Sequence, residues 1–127
     1  MAEQRNNILI IDPNLTDRTV MATFLKSENF CVETGEGLLD AVKKISEGSI
    51  DCLIMDVDLP EMKGYEAVPI IKKIEPKIRI IITARKNTKE LEAKIREQDV
   101  FFYFIKAFKK EELKLALKSA LKSIGGK

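Results

Sequence analysis

Five short apolar runs are spaced along this chain with helix-period segments between them, and that alternation constrains the fold more than any other feature. Residues 8–11 (ILII), 52–55 (CLIM) and 100–105 (VFFYFI) are unbroken apolar stretches, and 30–33 and 78–82 complete the five. Continuous apolar runs of this length predict strands buried on both faces. Between them, Leu38, Val42 and Ile45 fall at i, i+4, i+7, as do Ala67, Ile71 and Ile74. The last segment places Leu113, Leu117, Ala120, Leu121 and Ile124 on one helical face. Asn14 and Thr88 are expected helix starts, and "EGS" and "GGK" mark ends. Pro69 is expected near the first turn of the third helix, where a proline is either tolerated or kinks the helix.

Strand and helix alternating five times imply an α/β fold with a parallel sheet and helices on both faces. For a five-stranded sheet of this size the common order is 2-1-3-4-5, with a ligand crevice at the carboxyl ends of strands one and three. Asp12 closes strand one and Asp56 closes strand three, so two acids far apart in sequence are expected to converge. On the same edge, Thr83 follows strand four, Lys106 follows strand five, and Asp58 lies two residues beyond Asp56. Each is an ordinary strand terminus alone. Together an acid pair, a hydroxyl and an ammonium suit phosphoryl transfer to a carboxylate.

Composition removes competing chemistries. The 127 residues contain no histidine, which excludes Ser-His-Asp triads and His-ligated metals. No Cys-x-x-Cys occurs, so any metal is expected to be a hard cation on oxygen ligands. A net charge of +2 with intermixed signs gives no basic stripe for nucleic acid. No apolar run is long enough for a membrane span, and "MAEQRNN" is not the start of a signal peptide, so a cytoplasmic location is expected. Cys31 and Cys52 are expected as reduced thiols. On strands two and three they are separated by strand one, about 9–10 Å apart, beyond disulfide reach.

The blocks "ILIID", "LIMDVDLPEMKG", "IIITA" and "YFIKAF" resemble the response-regulator receiver domains of bacterial two-component signalling systems, over roughly residues 7–124 of a single domain spanning 1–127. The most specific is Asp56-Val-Asp-Leu-Pro60-x-x-x-Gly64, similar to the family's phosphorylation-site strand and turn. The resemblance implies a chemotaxis-receiver-like, flavodoxin-like three-layer sandwich with five helices. It implies Asp56 as phosphoacceptor, with Mg²⁺ on Asp12, Asp56 and the backbone carbonyl of Asp58. It further implies Thr83 and Lys106 as partners of the phosphoryl oxygens and Tyr103 as the switch aromatic that fills the space Thr83 vacates. The implied partners are a sensor histidine kinase or phosphotransfer protein and a downstream protein target, without direct binding to nucleic acid or membrane. Beyond self-phosphotransfer and autodephosphorylation no enzymatic activity is implied. Arg85, two residues past Thr83, is expected to cap the site through an ion pair with Asp58.

The sequence departs from that family at two places. Pro13 stands at the second position of the acid pair, so metal binding is expected to be weaker. Ala107 replaces the proline after the lysine; a cis peptide before alanine costs about 2.5–4 kcal/mol, so a trans peptide is expected. Both departures favour an alternative, a degenerate receiver that binds proteins without phosphorylation. Two further readings are weaker. An aspartate-nucleophile phosphatase of the haloacid dehalogenase class normally carries its Asp-x-Asp after the first strand, and a flavodoxin-like nucleotide binder wants a Gly/Ser/Thr-rich loop where "DPNLTD" places acids. The chain could be a complete regulator or a receiver cut from a longer protein.

Overall fold

A computed structural model of the chain describes residues 6–106 and 109–124. Ala107 and the terminal "GGK" lie outside the described residues, and with them the expected trans peptide after Lys106 and the expected end of the last helix. In chain order the elements are β1 (Asn7–Ile11), α1 (Leu15–Ser27), β2 (Cys31–Gly35), α2 (Leu38–Ser46), β3 (Cys52–Asp56), α3 (Gly64–Ile74), β4 (Arg79–Ala84), α4 (Lys89–Arg96), β5 (Phe102–Ile105) and α5 (Lys110–Ile124). The five strands form one sheet in the order β2-β1-β3-β4-β5, and every pairing is parallel. Both the alternation and the order are those expected.

The sheet has a core layer on each side, and strand parity decides which residue enters which. Leu9, Ile11, Leu53, Met55, Ile80 and Ile82 pack against buried residues of α2, α3 and α4, including Ile45, Ile71 and Ile95. Their neighbours Ile8, Ile10, Cys52, Ile54 and Ile81 pack against α1 and α5 through Met21, Leu25, Leu113 and Leu117. Because side chains alternate along a strand, each row continues at every second residue. The row Ile8–Ile10 therefore runs on to Asp12, Cys52–Ile54 to Asp56, Ile81 to Thr83, and Phe104 to Lys106. All four polar residues lie on the α1/α5 side of the sheet.

Helix ends follow local chemistry. The Asn14 side chain accepts a hydrogen bond from Asp17 N at 2.8 Å, and the Thr88 hydroxyl accepts one from Leu91 N at 3.0 Å. The "EGS" stop is real: Gly48 has φ +90°, a conformation that side-chain-bearing residues resist. Pro69 is a correction. It is the sixth residue of α3, past the first turn, because the helix already begins at Gly64; there it removes one helical hydrogen bond.

Cys31 is an exposed free thiol on β2 and Cys52 a buried one on β3, with β1 between them. Burial pushes the Cys52 thiol up to about 12, so it stays protonated. Among the described residues, no helix is long and apolar enough to cross a membrane.

Candidate functional site

The site forms where the four rows leave the sheet. Asp12 and Lys106 each stand one residue past a strand but keep its ladder: Asp12 N donates to Gly35 O at 3.0 Å and Lys106 N to Ala84 O at 2.7 Å. Asp56 and Thr83 are register partners on β3 and β4. Asp12 is 1% exposed, Asp56 6% and Thr83 0%, and they are the buried polar residues of the described chain.

The loop after Asp56 folds back tightly. Asp58 bridges to Lys63, Leu59 N donates to Met62 O at 3.2 Å, and Gly64 N donates to Val57 O at 2.7 Å. A Cβ on Gly64 would sit 2.7 Å from the Asp56 carbonyl oxygen, which is why the motif closes on glycine. Glu61 pins the loop from outside. Its carboxylate accepts from Leu38 N at 2.8 Å and so caps α2; that bond holds it below the usual carboxylate range.

Lys106 is the hub. Its ammonium donates to Asp12 Oδ2 and to Asp17 Oδ2, each at 2.8 Å, and lies 2.6 Å from Asp56 Oδ1. Burial pulls the lysine pKa down, but the three carboxylates outweigh it and the net shift is upward. The remaining oxygens are also engaged: Asp12 Oδ1 accepts from Asn14 N at 2.9 Å and Asp56 Oδ2 from Asp58 N at 2.7 Å. For Asp56, burial dominates over Lys106 and the Asp58 amide, and its carboxyl is raised. The Thr83 hydroxyl is buried and has no hydrogen-bond partner. Such an orphan is unusual in a folded protein.

Asp12, Asp56, Thr83 and Lys106 thus converge as the sequence suggests. Tyr103 does not join them. Strand parity turns it to the opposite face, among the residues packed with α4, where its hydroxyl donates to Asn87 Oδ1 at 2.9 Å. Arg85 does not pair with Asp58, although both line one cleft beside β4 and α4. Asp58 pairs with Lys63, across the bridge that turns the loop, and Arg85 Nη2 bonds Asp17 Oδ2 at 2.8 Å. The residue missed from sequence is Asp17, whose place in the first turn of α1 reads only as a helix-dipole complement. The parity of the strand rows was the available signal, because it puts the whole site on the side where α1 packs.

Mg²⁺ fits this donor set. Asp12 and Asp56 offer two hard carboxylates and Asp58 a backbone carbonyl, close to the minimum Mg²⁺ takes alongside a phosphate. Pro13 is exposed and brings no carboxylate. Among the described residues, no three ligand side chains are already grouped around an open metal position; the ammonium holds the centre.

Comparison with known proteins agrees. The sequence model of the response regulator receiver domain matches residues 8–118. The DNA-binding transcriptional regulator NtrC of Azospirillum brasilense is 33% identical over 116 residues, covering 91% of this chain but only 24% of that protein. Chemotaxis protein CheY of Listeria monocytogenes serovar 1/2a is 28% identical over 91% of this chain and 98% of its own. Among solved structures, the receiver domain of a sensor histidine kinase from Pseudomonas aeruginosa PAO1, with magnesium in its active-site cleft, superposes with a TM-score of 0.84 at 24% identity, over 92% of this chain and 98% of that one. Receiver domains bind Mg²⁺ in general, work with histidine kinases or phosphotransfer proteins, and are signalling domains rather than enzymes. This chain, flavodoxin-like in fold, belongs to the response regulator receiver domain family of two-component signalling.

Proposed function

We propose that this chain is a phosphorylatable receiver, a single domain over 1–127 with its core at 7–124, acting in the cytoplasm. The observation that carries the reading is the Thr83 hydroxyl, buried and unpartnered beside an Asp56 carboxylate that Lys106 holds at 2.6 Å. A carboxylate oxygen of Asp56 attacks the phosphorus of a partner's phosphohistidine; an O–P bond forms, the P–N bond breaks, and the imidazole leaves with a proton from solvent. Asp12, Asp56 and the Asp58 carbonyl would hold Mg²⁺, whose charge neutralises the phosphoryl oxygens. Lys106 moves its third donor from the carboxylate to a phosphoryl oxygen, and Thr83 gains the acceptor it lacks. Because Thr83 sits on β4, its movement shifts the β4–α4 loop, where Asn87 holds Tyr103. That biases the α4–β5–α5 face, where Phe101, Phe102 and Leu115 are exposed for a protein target. Hydrolysis of the acyl phosphate resets the domain.

The test is treatment with a small acyl-phosphate donor and Mg²⁺, read by intact mass. A phosphoryl adduct that disappears in Asp56→Asn is expected. The second reading, a degenerate receiver, is favoured by one observation: three carboxylates already saturate the donors of Lys106. It predicts no adduct.

A further inference from the structure

Asp17 lies outside the set of residues that the resemblance assigns, yet its carboxylate is as close to Lys106 as that of Asp12, at 2.8 Å. One oxygen, Oδ2, bridges two cations, Lys106 Nζ and Arg85 Nη2, across 89 and 68 residues of sequence. It reaches them from α1, one helical turn past Pro13, the position that brings no carboxylate.

A cation entering between Asp12 and Asp56 meets an ammonium already bonded to both. An ammonium has three donors, all of them engaged here, and it repels a second cation at close range. For the divalent ion to take the two strand-end carboxylates, the ammonium needs an anion to retire to. Asp17 is that anion. Counting Asp12, Asp17, Asp56, Lys106 and Arg85, the cluster carries one net negative charge; without the Asp17 carboxylate it carries none, and the attraction for a divalent cation falls with it. The buried, unpartnered Thr83 hydroxyl independently marks the same crevice as built for a ligand.

We propose that Asp17 is a positioning residue that replaces the missing acid at position 13: it draws the Lys106 ammonium toward α1 and frees Asp12 and Asp56 for Mg²⁺. This deepens the receiver reading and concerns the cation that reading requires.

The test is a Mg²⁺ titration of the unphosphorylated protein, followed by the backbone amide NMR signals of Asp56 and Asp58. Asp17→Asn should raise the Mg²⁺ midpoint roughly five- to tenfold, the range expected for loss of one nearby carboxylate. Asp17→Glu, which keeps the charge, should stay within about twofold of wild type. Adding Pro13→Asp to Asp17→Asn should bring the midpoint back. Overlaying titrations of wild type and Asp17→Asn overturn the proposal, as does tighter binding in Asp17→Asn, which would make Asp17 a clamp that opposes the metal. A wild type that never saturates with Mg²⁺, or a double variant that stays weak, overturns it equally. Acyl-phosphate uptake by wild type is measured separately. If uptake fails while the Asp17→Asn shift persists, the receiver reading falls and the role of Asp17 stands.

Discussion

Replacing Lys106 by methionine keeps an unbranched side chain, one atom shorter, and removes the charge that three carboxylates share. The Lys106 side chain is 12% exposed, Asp12 1% and Asp56 8%, so the variant leaves two carboxylates buried beside each other with no counter-ion. Removing one partner of a buried ion pair costs about 3–5 kcal/mol. Asp17, at 23% exposure and still paired with Arg85, is better solvated, which favours the lower end of that range. A loss of about 3 kcal/mol in a chain of this size lowers Tm by roughly 10 °C. The loss depends on pH. Burial already raises the Asp56 carboxyl, so the folded state holds that proton more tightly than the unfolded chain, and stability falls as pH rises from the ordinary aspartate range through the folded value. Without the ammonium, which pulls the other way, that window extends upward. The deficit of Lys106→Met is therefore largest near neutral pH and shrinks as pH falls into the carboxylate range. Urea unfolding of both proteins across that range measures it. A deficit that is flat with pH, or below about 1 kcal/mol at neutral pH, would refute the paired arrangement.

Three further outcomes follow from the same geometry. Thr83→Val deletes an unsatisfied buried hydroxyl, so the unphosphorylated protein should be equally stable or more stable by about 1 kcal/mol, while the phosphoryl-dependent change in the NMR spectrum is lost; destabilisation would mean that the hydroxyl has a partner. Gly64→Ala forces a Cβ to within 2.7 Å of the Asp56 carbonyl oxygen and should cost about 1–3 kcal/mol in chemical denaturation, and a neutral result would show that the loop relaxes freely. Arg85→Ala removes an exposed partner of Asp17 and should cost no more than about 1 kcal/mol in chemical denaturation; a larger loss would mean that Arg85 holds the fold through more than that pair.

What the sequence made legible was whatever local patterns encode. The β3 run CLIM is apolar throughout because both sheet faces are covered, and Asn14 and Thr88 announce helix starts through their side-chain oxygens. The convergence of Asp12, Asp56, Thr83 and Lys106 was readable once the strand order was assumed, since each closes a strand on the same edge. Two things were not. The partner of Asp58 depends on the turn that bridges it to Lys63, and the partner of Arg85 on how α1 packs against β1 and β2. Both are long-range orientations of side chains, and spacing alone does not fix them. Asp17 was hidden for the same reason: in "NLTD" it looks like an acid placed for the helix dipole, and only the packing of α1 against the strand rows turns it toward Lys106.

The central claim, that Asp56 carries a phosphoryl group, is tested most directly by locating that group. After acyl-phosphate and Mg²⁺ treatment, borohydride reduction converts an aspartyl phosphate to homoserine, which peptide mass mapping places by residue. The account predicts homoserine at position 56 and at no other acid of the crevice, with Asp12 and Asp17 intact. Homoserine at either of those, or at none of the three in protein shown to be folded and Mg²⁺-saturated, would contradict it.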